Sequence, residues 1–230
     1  MVAQALKARR KQLGLTQKNA AERLGVSQPY WSLLEKGLRP LTPELASKAM
    51  RVMKLSPTVL PVSASRVEEP ISGEQLAREL AALGYPGFAY MKKAWKRNPA
   101  EVLLRALAQE GLEARLFEAL PWLVLHYAEM DREWLVREAR MRNLTNRLGF
   151  VVSLACEVAQ KDGRASLLQK ESLTALLTEL GRGRLAQEEP FGQSAMTEAE
   201  QKWLREHRTE NAKYWNLLTD WKAEWLQYAR

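Results

Sequence analysis

The 230-residue sequence predicts an all-α protein, and three observations carry that prediction. Apolar residues recur at three- and four-residue steps along most of the chain, as one buried helix face requires. Glycine and proline separate most of the periodic stretches, at the places where helices stop and start. No alternating apolar and polar run of useful length marks a strand. A hydrophobic content of 46% permits a substantial core.

The first elements are short. Residues 2–13 place Leu6 and Leu13 on one helical face, with Arg9, Arg10 and Lys11 beside them, and Gly14 ends the run. Thr16 is placed to cap "QKNAAERL", whose Ala20, Ala21 and Leu24 fall at inward spacing, and Gly25 supplies the stop. Ser27 is a second cap. Pro29 falls in the first turn of the next helix, where its missing N–H breaks no intrahelical bond, so that helix runs from Gln28 to Glu35. Trp31 and Leu34 then face inward with Val26, Gln28, Pro29, Ser32 and Leu33 face outward, and Gly37 closes the helix. An amphipathic stretch, "TPELASKAMRVM", follows.

Two short helices joined by a Gly-containing turn of about three residues form a helix-turn-helix. Here Arg10, Gly14, Leu15, Thr16, Gln17, Ala21, Leu24, Gly25, Val26, Ser27, Ser32, Glu35, Gly37, Arg39 and Pro40 stand as in the Cro/lambda-repressor-like (XRE) DNA-binding family, which residues 3–58 resemble. The resemblance implies that Gln17 clamps a phosphate, that Gln28 reads an adenine edge, and that Pro29 and Leu33 lie against thymine methyls or fill the groove. Ser32 bonds a base or phosphate, Lys36 and Arg39 hold phosphates, and Ser27 belongs to the same DNA-facing set. Arg10 is implied to pair with Glu35 as a structural, partly buried ion pair. Two positions depart from the family, since Ala20 stands where Leu is usual and Trp31 where Ile or Val is usual. A large-for-small exchange conserves core volume, so Trp31 is expected to fill the space left at Ala20.

Beyond this module, "LSPTVLPVSASRVEEPISG" gathers three prolines and four serines and reads as a linker of moderate stiffness. The sequence thus divides into a DNA-binding domain at 1–60, a linker at 61–72 and a second, α-helical domain at 73–230. Helical patterns there are "GEQLARELAALG", "NPAEVLLRALAQEG", "LEARLFEAL", one long run from Asp131 to Gln160, "SLLQKESLTALLTEL", and a C-terminal stretch from Thr197. Trp215, Leu218, Trp221 and Trp225 fit one face of a terminal helix. They read as core or, with Tyr228, as an interface for a partner or a second copy, because Trp and Tyr are frequent interface anchors. "MKKAWKRNP" sets Lys92, Lys93, Lys96 and Arg97 around Trp95, either as a solvated helix face or as a stacking site for a single strand. "GRGR" at 181–184 is a helix stop or a phosphate-binding turn.

Charge is concentrated at one end. Residues 1–62 carry 11 Lys and Arg against 3 Glu, a net +8, whereas residues 63–230 carry 24 of each sign. A compact basic module points to a polyanionic partner, double-stranded DNA. The single cysteine, Cys156, excludes an intrachain disulfide framework or multi-cysteine zinc site and reads as a buried structural thiol. His126 and His207 lack metal-ligand spacing, and no P-loop, dinucleotide fingerprint, nucleophile elbow or zinc motif occurs. No cofactor, metal or catalysis is expected. Apolar runs fall short of the roughly 20 residues that span a bilayer, and the N-terminus lacks a signal-peptide core, so a cytoplasmic, non-membrane protein is expected. The function expected is a sequence-specific transcription regulator, a repressor acting as a homodimer on two half-sites. The alternatives are an antitoxin-like protein whose residues 73–230 bind a partner protein, and a small-ligand-responsive regulator.

Overall fold

The computed structural model describes residues 2–92, 94–161, 165–192 and 196–228. Thirteen α-helices, three short 3-10 turns and a single two-residue parallel bridge make up the regular structure of these residues, an all-α protein as the periodicity predicts. Contacts group the chain into two compact units, Met1–Val62 with Trp95–Asn98, and Ser63–Ala94 with Pro99–Arg230.

The first unit holds α1 (Val2–Gln12), α2 (Gln17–Leu24), α3 (Gln28–Glu35), α4 (Pro43–Met53) and a 3-10 turn at Pro57–Val59. Thr16 Oγ1 accepts from the Asn19 amide at 3.1 Å, and Ser27 Oγ from the Tyr30 amide at 3.3 Å, so both predicted caps satisfy a free helix N–H. Gly25 ends α2 in the left-handed region at φ 74°, where a Cβ is disfavoured. Leu6, Ala20, Ala21, Leu24, Trp31, Leu34, Ala49 and Met53 form one buried cluster. Trp31 and Ala20 are both fully buried in it. Leu13 does not join Leu6. The chain has left the helix by then, and Leu13 is 37% exposed.

In the second unit, α5 (Ala64–Glu68) falls within the stretch read as a linker. Its Val67 is buried, and Arg142 bonds both the Ala64 carbonyl and Glu68. Next come α6 (Gly73–Leu83), α7 (Pro99–Leu107), α8 (Ala114–His126), α9 (Arg132–Met141), α10 (Thr145–Lys161) and α11 (Leu167–Gly181). Helix α8 continues through Pro121 to His126, five residues beyond the prolyl nitrogen, in a fully packed position. The run from Asp131 to Gln160 is two helices, broken where Asn143 takes φ 57°. Helix α10 is buried on nearly all sides, the signature of a central core helix, and packs against α8, α9 and α11.

The predicted terminal helix is replaced by α12 (Glu198–His207), α13 (Glu210–Tyr214) and an irregular tail. Asn216 turns left-handed at φ 53°, which stops α13. Buried Leu217 and Leu218 then form β2 (Leu217–Leu218), paired in parallel with β1 (Glu189–Pro190). Trp215, Trp221 and Trp225 consequently share no helix face.

Candidate nucleic-acid interface

The site is built on the two capped helices of the first unit, and a chain of hydrogen bonds joins them to α1. Arg10 Nε donates to Glu35 Oε1 at 2.6 Å, Nη2 to Oε2 at 3.3 Å, and Nη1 to the Leu15 carbonyl at 2.8 Å. Arg10 therefore ties the end of α1, the α1–α2 turn and the end of α3 together. Gln17 Nε2 also donates to Glu35 Oε2 at 2.9 Å, and Gln28 Nε2 donates to Gln17 Oε1 at 3.0 Å.

This chain has a direction set by charge. An ionised Glu35 only accepts, so Gln17 must turn its NH2 toward it and its oxygen toward Gln28. Gln28 must in turn spend one N–H on Gln17. What remains at the exposed edge of Gln28 is one N–H donor and one carbonyl acceptor, the pair that matches N7 and N6 of adenine. Gln17 keeps one N–H, sufficient for a phosphate oxygen.

Burial raises the Glu35 carboxyl pKa, but hydrogen bonds from Arg10 and Gln17 outweigh it and hold the group below the ordinary carboxylate range. The Trp31 indole N–H also faces this carboxylate and lowers its pKa, while falling short of hydrogen-bond geometry. Each of these groups stabilises the charged form, so the carboxylate is ionised at neutral pH.

The remaining residues of the predicted DNA-facing set lie at the start of α3, along it and just beyond its end. Ser27, Pro29, Lys36 and Arg39 are exposed, and Ser32 and Leu33 are half-buried along α3. The Ser27 hydroxyl oxygen is used as a cap, which leaves its proton to donate. Two further features carry no clear signal in the sequence. An open cleft of about 520 Å³ runs beside Gln28, lined by Lys18, Ala21, Glu22 and Val26, and Leu38 is 66% exposed between Lys36 and Arg39.

Outside this surface, the tryptophans read as one stripe separate into three environments. Trp215 is buried, its indole N–H donating to Ser153 Oγ at 2.8 Å, so it belongs to the core and not to an interface. Trp221 stacks on Phe117 with ring centroids 4.5 Å apart, and Trp225 remains 48% exposed. Residues 94–98 are non-helical, which removes the solvated-helix reading of "MKKAWKRNP"; Lys93 lies outside the described residues. In "GRGR", Arg184 bonds the Tyr214 carbonyl at 2.5 Å and lies over the Tyr214 ring, which makes it a structural residue. Burial lowers the His126 pKa, and its ring stacks on Trp122 at 4.7 Å. Among the described residues, no group of His, Cys, Asp and Glu is placed to hold a metal ion, and no helix is long and apolar enough to cross a membrane.

Residues 6–60 match the family model described as Helix-turn-helix. No curated protein and no solved structure matches the chain. The matched segment holds every residue of the Arg10–Glu35–Gln17–Gln28 chain and both helix caps. Residues 6–60 are thus a helix-turn-helix segment of the Cro/lambda-repressor-like (XRE) type, and that segment supports a DNA-binding regulator.

Proposed function

We propose that the protein is a transcriptional repressor that lays α3 into the major groove of an operator with two half-sites, bound as a homodimer paired through residues 73–230. The observation that carries this reading is the fixed donor–acceptor edge of Gln28, held by Gln17 and Glu35 at the exposed start of α3. A preorganised bidentate edge discriminates between base pairs by about 1–3 kcal/mol, which a merely basic surface does not. Gln28 reads adenine, Gln17 and Ser27 bond phosphates, and Pro29, Ser32 and Leu33 fill the groove. Lys36 and Arg39 hold the backbone beyond it. Homodimer pairing draws support from apolar residues left exposed on the second unit, Leu167 and Leu168 at the start of α11 and Trp225 in the tail.

The test is selection of duplexes from a random pool, followed by titration of wild type, Gln28→Ala and Gln17→Ala on the selected site. The expected result is two protomers per duplex, affinity that falls steeply with salt, a base preference relaxed at one position per half-site by Gln28→Ala, and a uniform loss with Gln17→Ala. A salt-insensitive complex, or equal effects of both substitutions on every sequence, overturns the reading. A heterologous protein recovered at equal stoichiometry in place of a second copy would favour the antitoxin-like alternative.

One observation favours a ligand-responsive form of the same regulator. A cavity of about 450 Å³ in the second unit is lined by Tyr85, Phe88, Tyr90 and Tyr228, with Arg115 and Glu118 at its polar side. Aromatic walls with a few convergent polar groups are what small-molecule sites present.

A further inference from the structure

The segment Trp95–Asn98 packs with residues 1–62, although the chain on both sides of it belongs to the second unit. Asn98 pins it there. The Asn98 side chain is buried, and its Nδ2 donates to the Thr58 carbonyl at 3.0 Å and to the Leu60 carbonyl at 2.7 Å, using both amide hydrogens. Ahead of this anchor, Trp95 is 65% exposed, Lys96 is exposed and Arg97 is half-buried. No acidic residue lies between Met91 and Asn98.

The consequence is electrostatic. Lys96 and Arg97 raise the charge of the DNA-binding unit from +8 to +10, so the rest of the chain carries −2. Of the three acids in residues 1–62, Glu35 is already paired with Arg10, which leaves Glu22 and Glu44. A body of this size has a radius of gyration near ~11 Å. Its flanks therefore lie within about two Debye lengths of a groove-bound helix at 0.1 M salt. Exposed charges more than one Debye length apart are largely screened, so a cation anchored on such a flank acts on the duplex that α3 enters by touching its backbone.

We propose that Trp95 and Lys96, anchored through Asn98, form a second DNA-contacting element that grips the sugar–phosphate backbone beside the groove occupied by α3. This rests on the DNA-binding role of the first unit. Lys96 supplies the charge to a phosphate, and the Trp95 indole lies against the adjoining deoxyribose. The contact carries no base information, so it strengthens operator and unrelated duplex alike.

The experiment uses the full chain with Lys96→Gln, Lys96→Arg and Trp95→Ala, each titrated against the selected operator and an unrelated duplex of equal length over a salt series. Each lost phosphate contact reduces the slope of log K against log salt by ~0.9 and weakens binding about eightfold at 0.1 M. Lys96→Gln is expected to show that reduction on both duplexes, and Lys96→Arg to retain the wild-type slope. Phosphate-ethylation interference is expected to lose positions flanking the α3 footprint with Lys96→Gln and Trp95→Ala. Wild-type slopes and interference in both variants overturn the proposal, as does a loss seen only with single-stranded DNA. A wild-type chain that binds duplex with no salt dependence would instead remove the repressor reading, so the two failures are distinct.

Discussion

Removing Trp31 tests the packing that holds the interface in place. The indole is fully buried in the cluster formed by α1–α4, which also holds Ala20 and Ala21 of α2 and Met53 of α4. Truncation of a buried Trp to Ala costs about 3–5 kcal/mol, the sum of lost transfer energy and an unfilled cavity. A unit of about 60 residues has a total stability near ~3–9 kcal/mol at ordinary values per residue. Trp31→Ala is thus expected to remove most of the stability of the first unit and with it the alignment of Gln17, Gln28 and Glu35.

Ala20 supplies the stricter test. In wild type, Ala20→Leu adds three carbons to a filled core and is expected to destabilise by about 1–3 kcal/mol. In a Trp31→Val background the same Leu has room, so its effect should reverse sign and recover part of the loss. Calorimetry of the full chain, with anisotropy of a labelled duplex alongside, reads both quantities, because the second unit serves as an internal reference transition. A cost below about 1 kcal/mol for Trp31→Ala, or the same sign for Ala20→Leu in both backgrounds, would refute the idea that these two positions share one volume.

Three other outcomes follow from the geometry. In the middle of α10, Gly149→Ala gains about 1 kcal/mol in helix propensity, but the new Cβ would stand 2.5 Å from Cζ2 and Cζ3 of Trp215, whose indole is tethered to Ser153. Overpacking is expected to win, with a net loss of about 1–3 kcal/mol by denaturant titration; a stabilised variant would contradict the packing. Glu35 has a folded pKa below its unfolded value, so its contribution to stability is present above about pH 4.5 and is lost as pH falls through the folded pKa. Glu35→Gln should remove that part of the acid transition, seen by circular dichroism, and, by freeing the amide of Gln17 to flip, should weaken the adenine preference. Burial, with help from Glu157, pushes the Cys156 thiol up to about 11, so alkylation at pH 7.5 should be slow in the native protein and rapid only after denaturation.

Local chemistry made the first unit readable. Caps at Thr16 and Ser27, the left-handed Gly25 and the early Pro29 are decisions taken within four residues of sequence, and the helices they bound are those observed. Arg10 and Glu35 are also where the family resemblance puts them, because one ion pair between helix ends is the cheapest way to satisfy a carboxylate facing a small core. Less was legible in the second unit. Periodicity gave helices α6, α7 and α11, but the break at Asn143 and the stop at Asn216 rest on single left-handed residues with no glycine to announce them.

The sequence by itself determined the all-α class and the helix-turn-helix, which depend on neighbours three or four positions apart, and the basic charge of residues 1–62, which depends on composition alone. Tertiary structure alone decided the rest. Gln28 has its donor–acceptor edge fixed by residues 11 and 7 positions away, Gln17 and Glu35, which meet only once two helices have packed. Trp215 leaves its helical stripe because Gly149 opens a slot for it 66 residues earlier, and Trp95 joins a basic unit whose chain ended more than 30 residues before it. Burial and charge are properties of what surrounds a side chain, and those surroundings come from parts of the chain that no local window contains.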